Sequence, residues 1–248
     1  MVAATAGPAG AASVGSPETQ GQGKIAAGLD WSYVFNRDLD YKTATRPAGN
    51  DSYSAENFRI DRGYNVAGKI SYGIFDALDI YVKLGAANYD FKGDVKKVEE
   101  NLSAGNVFLY GGGIKFVYEL EHGWIIGAAA EYLTSEHELD FSAVNLTTGV
   151  VTTAEYAVCR LQEWQVAPYV ARKIAAFTPY FGARYSDFRM VQKNPDNIMR
   201  WDNLVFRADR NVGVFMGTDW KIGKNFKLNV EGRFVDETAI SLGAAYRS

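Results

Sequence analysis

The residue best suited to take part in a reaction in this 248-residue chain is a histidine that lies among carboxylates. His137 is flanked by Glu136 and Glu138, and Asp140 follows three positions later. A neutral imidazole beside a carboxylate can act as a general base, so the group could serve hydrolysis. The same spacing suits a histidine that is simply solvated in an acidic loop, and it matches no catalytic signature. We therefore predict that the chain is not an enzyme and name no catalytic residue.

Other chemistries find little support. With one cysteine, Cys159, and two histidines, neither an internal disulfide nor a metal site is predicted. The Gly111–Gly113 run is not followed by the Lys-Ser/Thr pair and helix of a phosphate-binding loop. A net charge of −3 gives no electrostatic reason to expect nucleic acid. No cofactor is predicted.

A set of ionisable residues alternates with apolar ones, so its members should share one face of their elements. The two signs are nearly balanced, which favours pairing. This set fits either a salt-bridge network that fills an interior or the lining of a narrow, weakly selective channel. Its members are Asp30, Arg59, Asp61, Lys69, Lys83, Lys115, Glu131, Glu163, Arg184, Asp219, Glu231 and Arg233.

The elements that carry these residues follow a period of two from Lys24 onward. Val212, Val214 and Met216, for example, alternate with small or polar neighbours. About ten such runs occur, each near the ~9–11 residues that a tilted strand needs to cross a bilayer. No stretch approaches the ~18 consecutive apolar residues of a membrane helix.

The connections between the predicted strands alternate in length. Short turns are expected at 73–77, 119–123, 173–177 and 221–225, and longer polar loops at 37–57, 92–105, 136–155 and 189–203, with a fifth, short connection at Asp236–Glu237. Short turns at one end and long loops at the other are typical of outer-membrane barrels. A soluble ligand-binding barrel is the alternative, with its apolar face turned inward.

The aromatic residues favour the membrane orientation, because they cluster at strand ends around an aliphatic middle. Such a pattern is typical of two interfacial girdles. Next to the short turns stand Tyr72, Tyr118, Trp124, Trp220, Phe226 and Tyr246. Toward the long loops stand Phe35, Phe58, Phe108, Tyr132, Trp164, Tyr185 and Phe234. The opposite face is rich in Gly, Ala, Ser and Asn, which suits a crowded, narrow lumen.

Two segments, APYVARKIAAFTPYFGARYSDF and AISLGAAYRS, resemble the outer-membrane protein A-like β-barrel superfamily of Gram-negative bacteria. The resemblance implies a place in the outer membrane and assembly by the barrel-insertion machinery, with the last strand as recognition signal. The chain departs from the pattern because its closing aromatic, Tyr246, is not the final residue. The anchoring role of the longest superfamily members is not implied.

The predicted architecture is all-β: a transmembrane antiparallel up-and-down β-barrel of about ten strands, with short periplasmic turns and long extracellular loops. Residues 1–23 are predicted to be a flexible tether and residues 24–248 the barrel. The predicted function is structural or surface-interacting through the loops. A narrow porin-like channel is the alternative, and an outer-membrane protease or lipid-modifying enzyme using His137 a third hypothesis. Expected partners are outer-membrane lipid, lipopolysaccharide and proteins at the loops.

Overall fold

The structure, a computed structural model, describes residues 13–45, 56–95, 98–145, 151–193 and 203–247. These residues form twelve β-strands and a three-residue 3-10 turn, Glu121–Gly123. In chain order the strands are β1 (Ile25–Thr45), β2 (Glu56–Phe75), β3 (Leu78–Val95), β4 (Val98–Ala104), β5 (Val107–Glu119), β6 (Trp124–Asn145), β7 (Val151–Arg172), β8 (Phe177–Lys193), β9 (Asn203–Ala208), β10 (Val212–Ile222), β11 (Phe226–Phe234) and β12 (Thr238–Arg247). Among the described residues, no helix has the length and apolar character to cross a membrane.

The strands close into one antiparallel barrel, because β1 pairs with β2 on one edge and with β12 on the other. At the end with the short turns, here called the turn side, the ring contains ten strands: β1, β2, β3, β5, β6, β7, β8, β10, β11 and β12. The predicted all-β antiparallel barrel of about ten strands is therefore confirmed.

At the opposite end, the loop side, the ring narrows. There β4 continues the line of β5, and β9 continues that of β10. Because β9 pairs with β8 and directly with β1, the β11–β12 hairpin drops out and eight strands remain. With 22 residues each, β6 and β7 are about twice as long as a bilayer requires. The eight-stranded part, here called the extension, therefore stands clear of the membrane.

The polarity of the two barrel faces reverses between the turn side and the extension. On β3, Leu84 is 57% exposed on the outside while Lys83 is buried inside. Farther along the same strand Lys92 lies outside and Phe91 is buried. Much of the sequence predicted as loop therefore continues as strand. Its side chains still alternate, but the apolar ones face inward and the polar ones outward.

A β-bulge changes the register of β2 between Ile60 and Arg62. Because of it, the predicted position of one girdle residue is wrong. A shift of one residue moves every side chain beyond it to the other face. Phe58 is consequently only 2% exposed and lies inside the extension rather than in the outer girdle.

Because of the same bulge, the predicted lumen position of two ionisable residues is also wrong. Arg59 and Asp61 lie on the outer surface, where their side chains approach to 3.6 Å. Asp61 also pairs at 3.0 Å with the exposed Lys92 of the neighbouring strand. Strict alternation along β2 predicts both residues in the lumen, and the extra residue of the bulge turns them to the outer face instead.

The outer surface of the turn-side part is an apolar band with aromatic rings at both margins. The six turn-side girdle residues and the loop-side ones other than Phe58 are each 38–62% exposed. Between them lie aliphatic side chains such as Val82, Leu84 and Ile114. This arrangement matches a hydrocarbon layer flanked by two interfaces.

We expect Leu84→Arg to destabilise the barrel in phospholipid vesicles by about 2–4 kcal/mol, because Leu84 faces the middle of the apolar band. Asn88→Arg, on the same strand and face but near the interface, should cost less than about 1 kcal/mol. Guanidinium unfolding followed by tryptophan fluorescence measures both. Equal losses would contradict the placement of the band.

Candidate functional site: the filled lumen

The N-terminal segment, residues 13–23, enters the barrel from the turn side: residues 13–18 are largely buried inside it, and Gln22 and Gly23 are exposed at the rim. Ser16 donates its hydroxyl to Asp219 at 2.5 Å, and the Gln20 backbone N–H donates to the Asp79 carboxylate at 3.0 Å. The prediction of a flexible tether is therefore wrong for these residues, because lumen side chains bind them. Residues 1–12 lie outside the described part of the chain.

Glu18 ties this N-terminal segment to the turn-side rim. Its carboxylate lies 2.5 Å from Lys227, 2.8 Å from Lys221 and 3.7 Å from Lys173. Burial disfavours the charged carboxyl, but Lys227 and Lys221 outweigh that effect and lower the pKa of Glu18 to about 2. The charged Glu18 carboxylate thus holds the segment among three lysine ammonium groups.

Beside the N-terminal segment lies a lysine layer, formed by Asp30, Lys69, Lys83, Lys115 and Glu131. Lys83 bridges Asp30 and Glu131, at 3.0 Å to each. Lys69 lies 4.0 Å from Asp30, and Lys115 donates to the Ser16 carbonyl oxygen. The structure thus brings five residues of the predicted ionisable set together inside the lumen.

An arginine layer crosses the lumen next, and almost no solvent reaches it. Arg184 contacts Asp236 at 2.6 Å and Glu237 at 2.7 Å, and all three side chains are fully buried. Arg37 contacts Glu163 at 2.6 Å. Buried charges of this kind are tolerated only when each has a partner close by.

Arg233 and Glu231 complete the arginine layer and join it to the N-terminal segment. Arg233 lies 2.7 Å from Glu237 and 3.4 Å from Glu231. Glu231 in turn accepts hydrogen bonds from the Val14 backbone N–H at 3.3 Å and from the Tyr180 hydroxyl at 3.0 Å. The polar contacts therefore run without interruption from the turn-side rim to the arginine layer.

Three members of the arginine layer were missed from the sequence: Arg37, Asp236 and Glu237. Arg37 was assigned to a loop, but a register shift in β1 after Val34 turns it inward. Asp236 and Glu237 were assigned to a connection, and they fold into the lumen after Val235, whose φ is 85°. Two adjacent acidic residues in an unusually short loop-side connection were the available signal.

An apolar layer fills the extension above the arginines. The rings of Phe58 and Phe206 stack with centroids 4.1 Å apart, and the Phe91 ring lies nearly parallel to that of Phe58 with centroids 6.0 Å apart. The Arg37 guanidinium lies 5.1 Å from the centroid of the Phe188 ring, where the two layers meet. A cavity of about 10 Å³ near Phe188 has room for at most one water molecule.

The candidate catalytic histidine lies in the extension. The main chain of His137 belongs to β6, opposite Cys159 of β7. The Cys159 side chain is fully buried in the apolar layer, and burial raises its pKa. The described side chains include no cluster of His, Cys, Asp or Glu that could hold a metal ion. The His137 side chain lies outside the described part.

Comparisons with known proteins agree on the architecture. No protein-family model matches the sequence, and no curated protein does. Among solved structures, the outer membrane protease OmpT from Escherichia coli is 11% identical, with a TM-score of 0.50 over 95% of this chain and 98% of that one. The fold is that of a bacterial outer-membrane β-barrel. At this identity the likeness shows the fold alone.

Two further outer-membrane barrels match less closely. OprG, an outer membrane protein of Pseudomonas aeruginosa, is 8% identical, with a TM-score of 0.41 over 93% of this chain and 99% of that one. The toluene transporter TbuX of Ralstonia pickettii is 10% identical, with a TM-score of 0.37 over 92% and 90%. The apolar band and the barrel fold together place this chain in a bacterial outer membrane.

We expect Arg184→Met to destabilise the barrel by about 3–5 kcal/mol, because it leaves the buried Asp236 without its cation and removes one of the cations around Glu237. Arg207→Met is the matched control: Arg207 pairs with Asp187 at 3.0 Å but is 46% exposed, so its loss should cost about 1 kcal/mol or less. Guanidinium unfolding in detergent compares the two. A small loss for Arg184→Met would show that the arginine layer is not a coupled network.

The seating of the N-terminal segment should depend on pH through Glu18. A carboxyl whose pKa is lowered by docking stabilises the docked state fully above its ordinary value of 4.5, and this contribution disappears as the pH falls through about 2. The Gln20 amide resonance in detergent NMR should therefore report a docked segment at neutral pH and growing release below about 4.5. Glu18→Gln should weaken docking at neutral pH and abolish this dependence. A dependence that persists in Glu18→Gln would exclude Glu18 as its source.

Proposed function

We propose that the protein is a closed, non-conducting outer-membrane barrel that carries the extension beyond the membrane for a structural or surface-interaction role. The observation that supports this is the filled lumen. The lysine layer, the arginine layer and the apolar layer follow one another along the barrel axis, and the N-terminal segment fills the lumen beside the lysine layer as far as Glu231. An ion crossing the membrane would have to displace all four.

The outer surface of the extension suits contact with polar partners. Arg62 pairs with Asp90 at 2.9 Å, and Arg207 with Asp187 at 3.0 Å, all partly or largely exposed. Such surface pairs are weak and can exchange partners at little cost. Protein partners would meet the loop-side end, where residues 46–55, 146–150 and 194–202 connect the strands and lie outside the described part.

The apolar band suits a second group of partners, outer-membrane lipid and lipopolysaccharide. Rings such as Trp164 and Tyr185, whose centroids are 5.3 Å apart, are amphipathic groups of the kind that lie at headgroup level. We also propose kinship with the outer-membrane protein A-like superfamily. It rests on the C-terminal strand β12, where Leu242 and Tyr246 face outward.

The closed state predicts that the purified protein gives no stable unitary conductance steps in planar bilayers. A variant lacking residues 13–23 should also stay silent, because the arginine and apolar layers still cross the lumen. Stable steps from the intact protein would overturn the proposal and favour the porin-like channel. Steps from the shortened variant alone would identify the N-terminal segment as the gate of such a channel.

The surface role is tested with the same protein displayed on cells. Replacing residues 46–55 and 194–202 with Gly-Ser linkers of equal length should reduce adhesion of the cells to immobilised matrix proteins. The linker variant must show the heat-modifiable migration of a folded barrel. Undiminished adhesion by a folded linker variant would contradict a role for these connections.

A further inference from the structure

A cavity of about 50 Å³ lies in the lumen between the N-terminal segment and the barrel wall. Its lining includes Gly28 on β1, Gly243 on β12, Lys69 on β2, where it pairs with Gly28, and Lys115 on β5. The glycine at position 243 avoids a tight contact inside the lumen, because a Cβ there would lie only 3.2 Å from Asp30. The volume suits an ion of a few heavy atoms.

Three lysine ammonium groups converge on the main chain at Gly15 and Ser16, beside this cavity. Lys115 donates to the Ser16 carbonyl oxygen, and the Lys227 ammonium lies 3.5 Å from the Ser16 hydroxyl. The Lys69 ammonium lies 3.5 Å from the position that a Cβ on Gly15 would occupy. Three cations from different strands therefore meet in one small volume.

Two of these cations lack a close carboxylate. Lys227 is paired with Glu18 at 2.5 Å, but the Lys69 ammonium is 4.0 Å from Asp30 in its ion pair. Lys115 belongs to no ion pair among the described residues, although it is only 3% exposed. Across the β3–β5 pairing Lys115 lies opposite Asp79, whose carboxylate accepts a hydrogen bond from Gln20. Burying an ammonium group is costly, and hydrogen bonds from Lys69 and Lys115 to a bound oxygen would offset part of that cost.

The carboxylates that also line the cavity are held by other partners. Asp30 lies 3.0 Å from Lys83, which is not part of the cavity lining. Asp219 accepts hydrogen bonds from Ser16 at 2.5 Å and from Asn229 at 2.8 Å. Asp219 also lies 3.9 Å from Lys227. Both carboxylates that line the cavity therefore already contact other groups.

We propose that this cavity binds a small oxyanion, a phosphate or a compound that carries a phosphate or carboxylate group, between Lys69 and Lys115. Ammonium groups act as point-charge donors to such oxygens, and hydrogen bonds between two charged groups are the stronger kind. The ligand is a free ion that enters from the turn side, because the acyl chains of a lipid cannot follow its headgroup into the lumen.

Calorimetric titration of the intact protein in detergent with inorganic phosphate, at constant ionic strength, tests the site. We expect saturable binding of one phosphate, competition by sulfate, and a rise in the unfolding temperature with phosphate concentration. Lys115→Met and Lys69→Met should each weaken binding about tenfold or more, because each removes a charge-assisted hydrogen bond. Lys92→Met is the control, since Lys92 lies on the outer surface and pairs with Asp61.

Several outcomes would overturn the proposal. Absence of saturable phosphate binding to the intact protein does so without any variant. Unchanged affinity in folded Lys115→Met and Lys69→Met would place the ion elsewhere. Binding of micelles that contain a phosphorylated lipid, without binding of inorganic phosphate, would assign the headgroup chemistry to the outer surface instead.

Discussion

The requirement that a buried charge keep a partner governs the interior of this barrel. The Arg184 guanidinium is held between Asp236 and Glu237 with no access to solvent, and an unpaired charge there would cost several kcal/mol. The pairing determines where the β11–β12 connection must fold, since both carboxylates come from it. It also places charged side chains across the lumen between the lysine layer and the apolar layer.

The reversal of polarity along the barrel follows from the change of solvent around it. Beside the apolar band the outside meets lipid, so the charges collect inside with the N-terminal segment. Around the extension the outside meets water, so rings such as Phe91 and Phe206 collect inside and form a dry core. The same strands serve both environments because side chains alternate with a period of two wherever the strand runs.

The sequence was sufficient to predict the class of fold, the ring of about ten strands and the position of residues on unbroken strands. Lys83 was assigned to the lumen because β3 continues regularly through it. Arg37 and Phe58 were assigned to the wrong places because register shifts lie beside them, and a bulge leaves no trace in the alternation. The sequence of the N-terminal segment shows no alternation of apolar and polar residues. Its partners, Asp79 and Asp219, lie far away in the chain, so its position in the lumen could not be predicted.

Because the ring narrows from ten strands to eight, β1 closes the barrel through two different pairings, here called seams. Near the turns β1 meets the C-terminal strand over Ala26–Asn36; in the extension it meets β9 over Leu39–Thr45. The first seam requires β12, whereas the second uses strands that end at Ala208. The ring of the extension therefore closes through pairings that do not involve the β11–β12 hairpin.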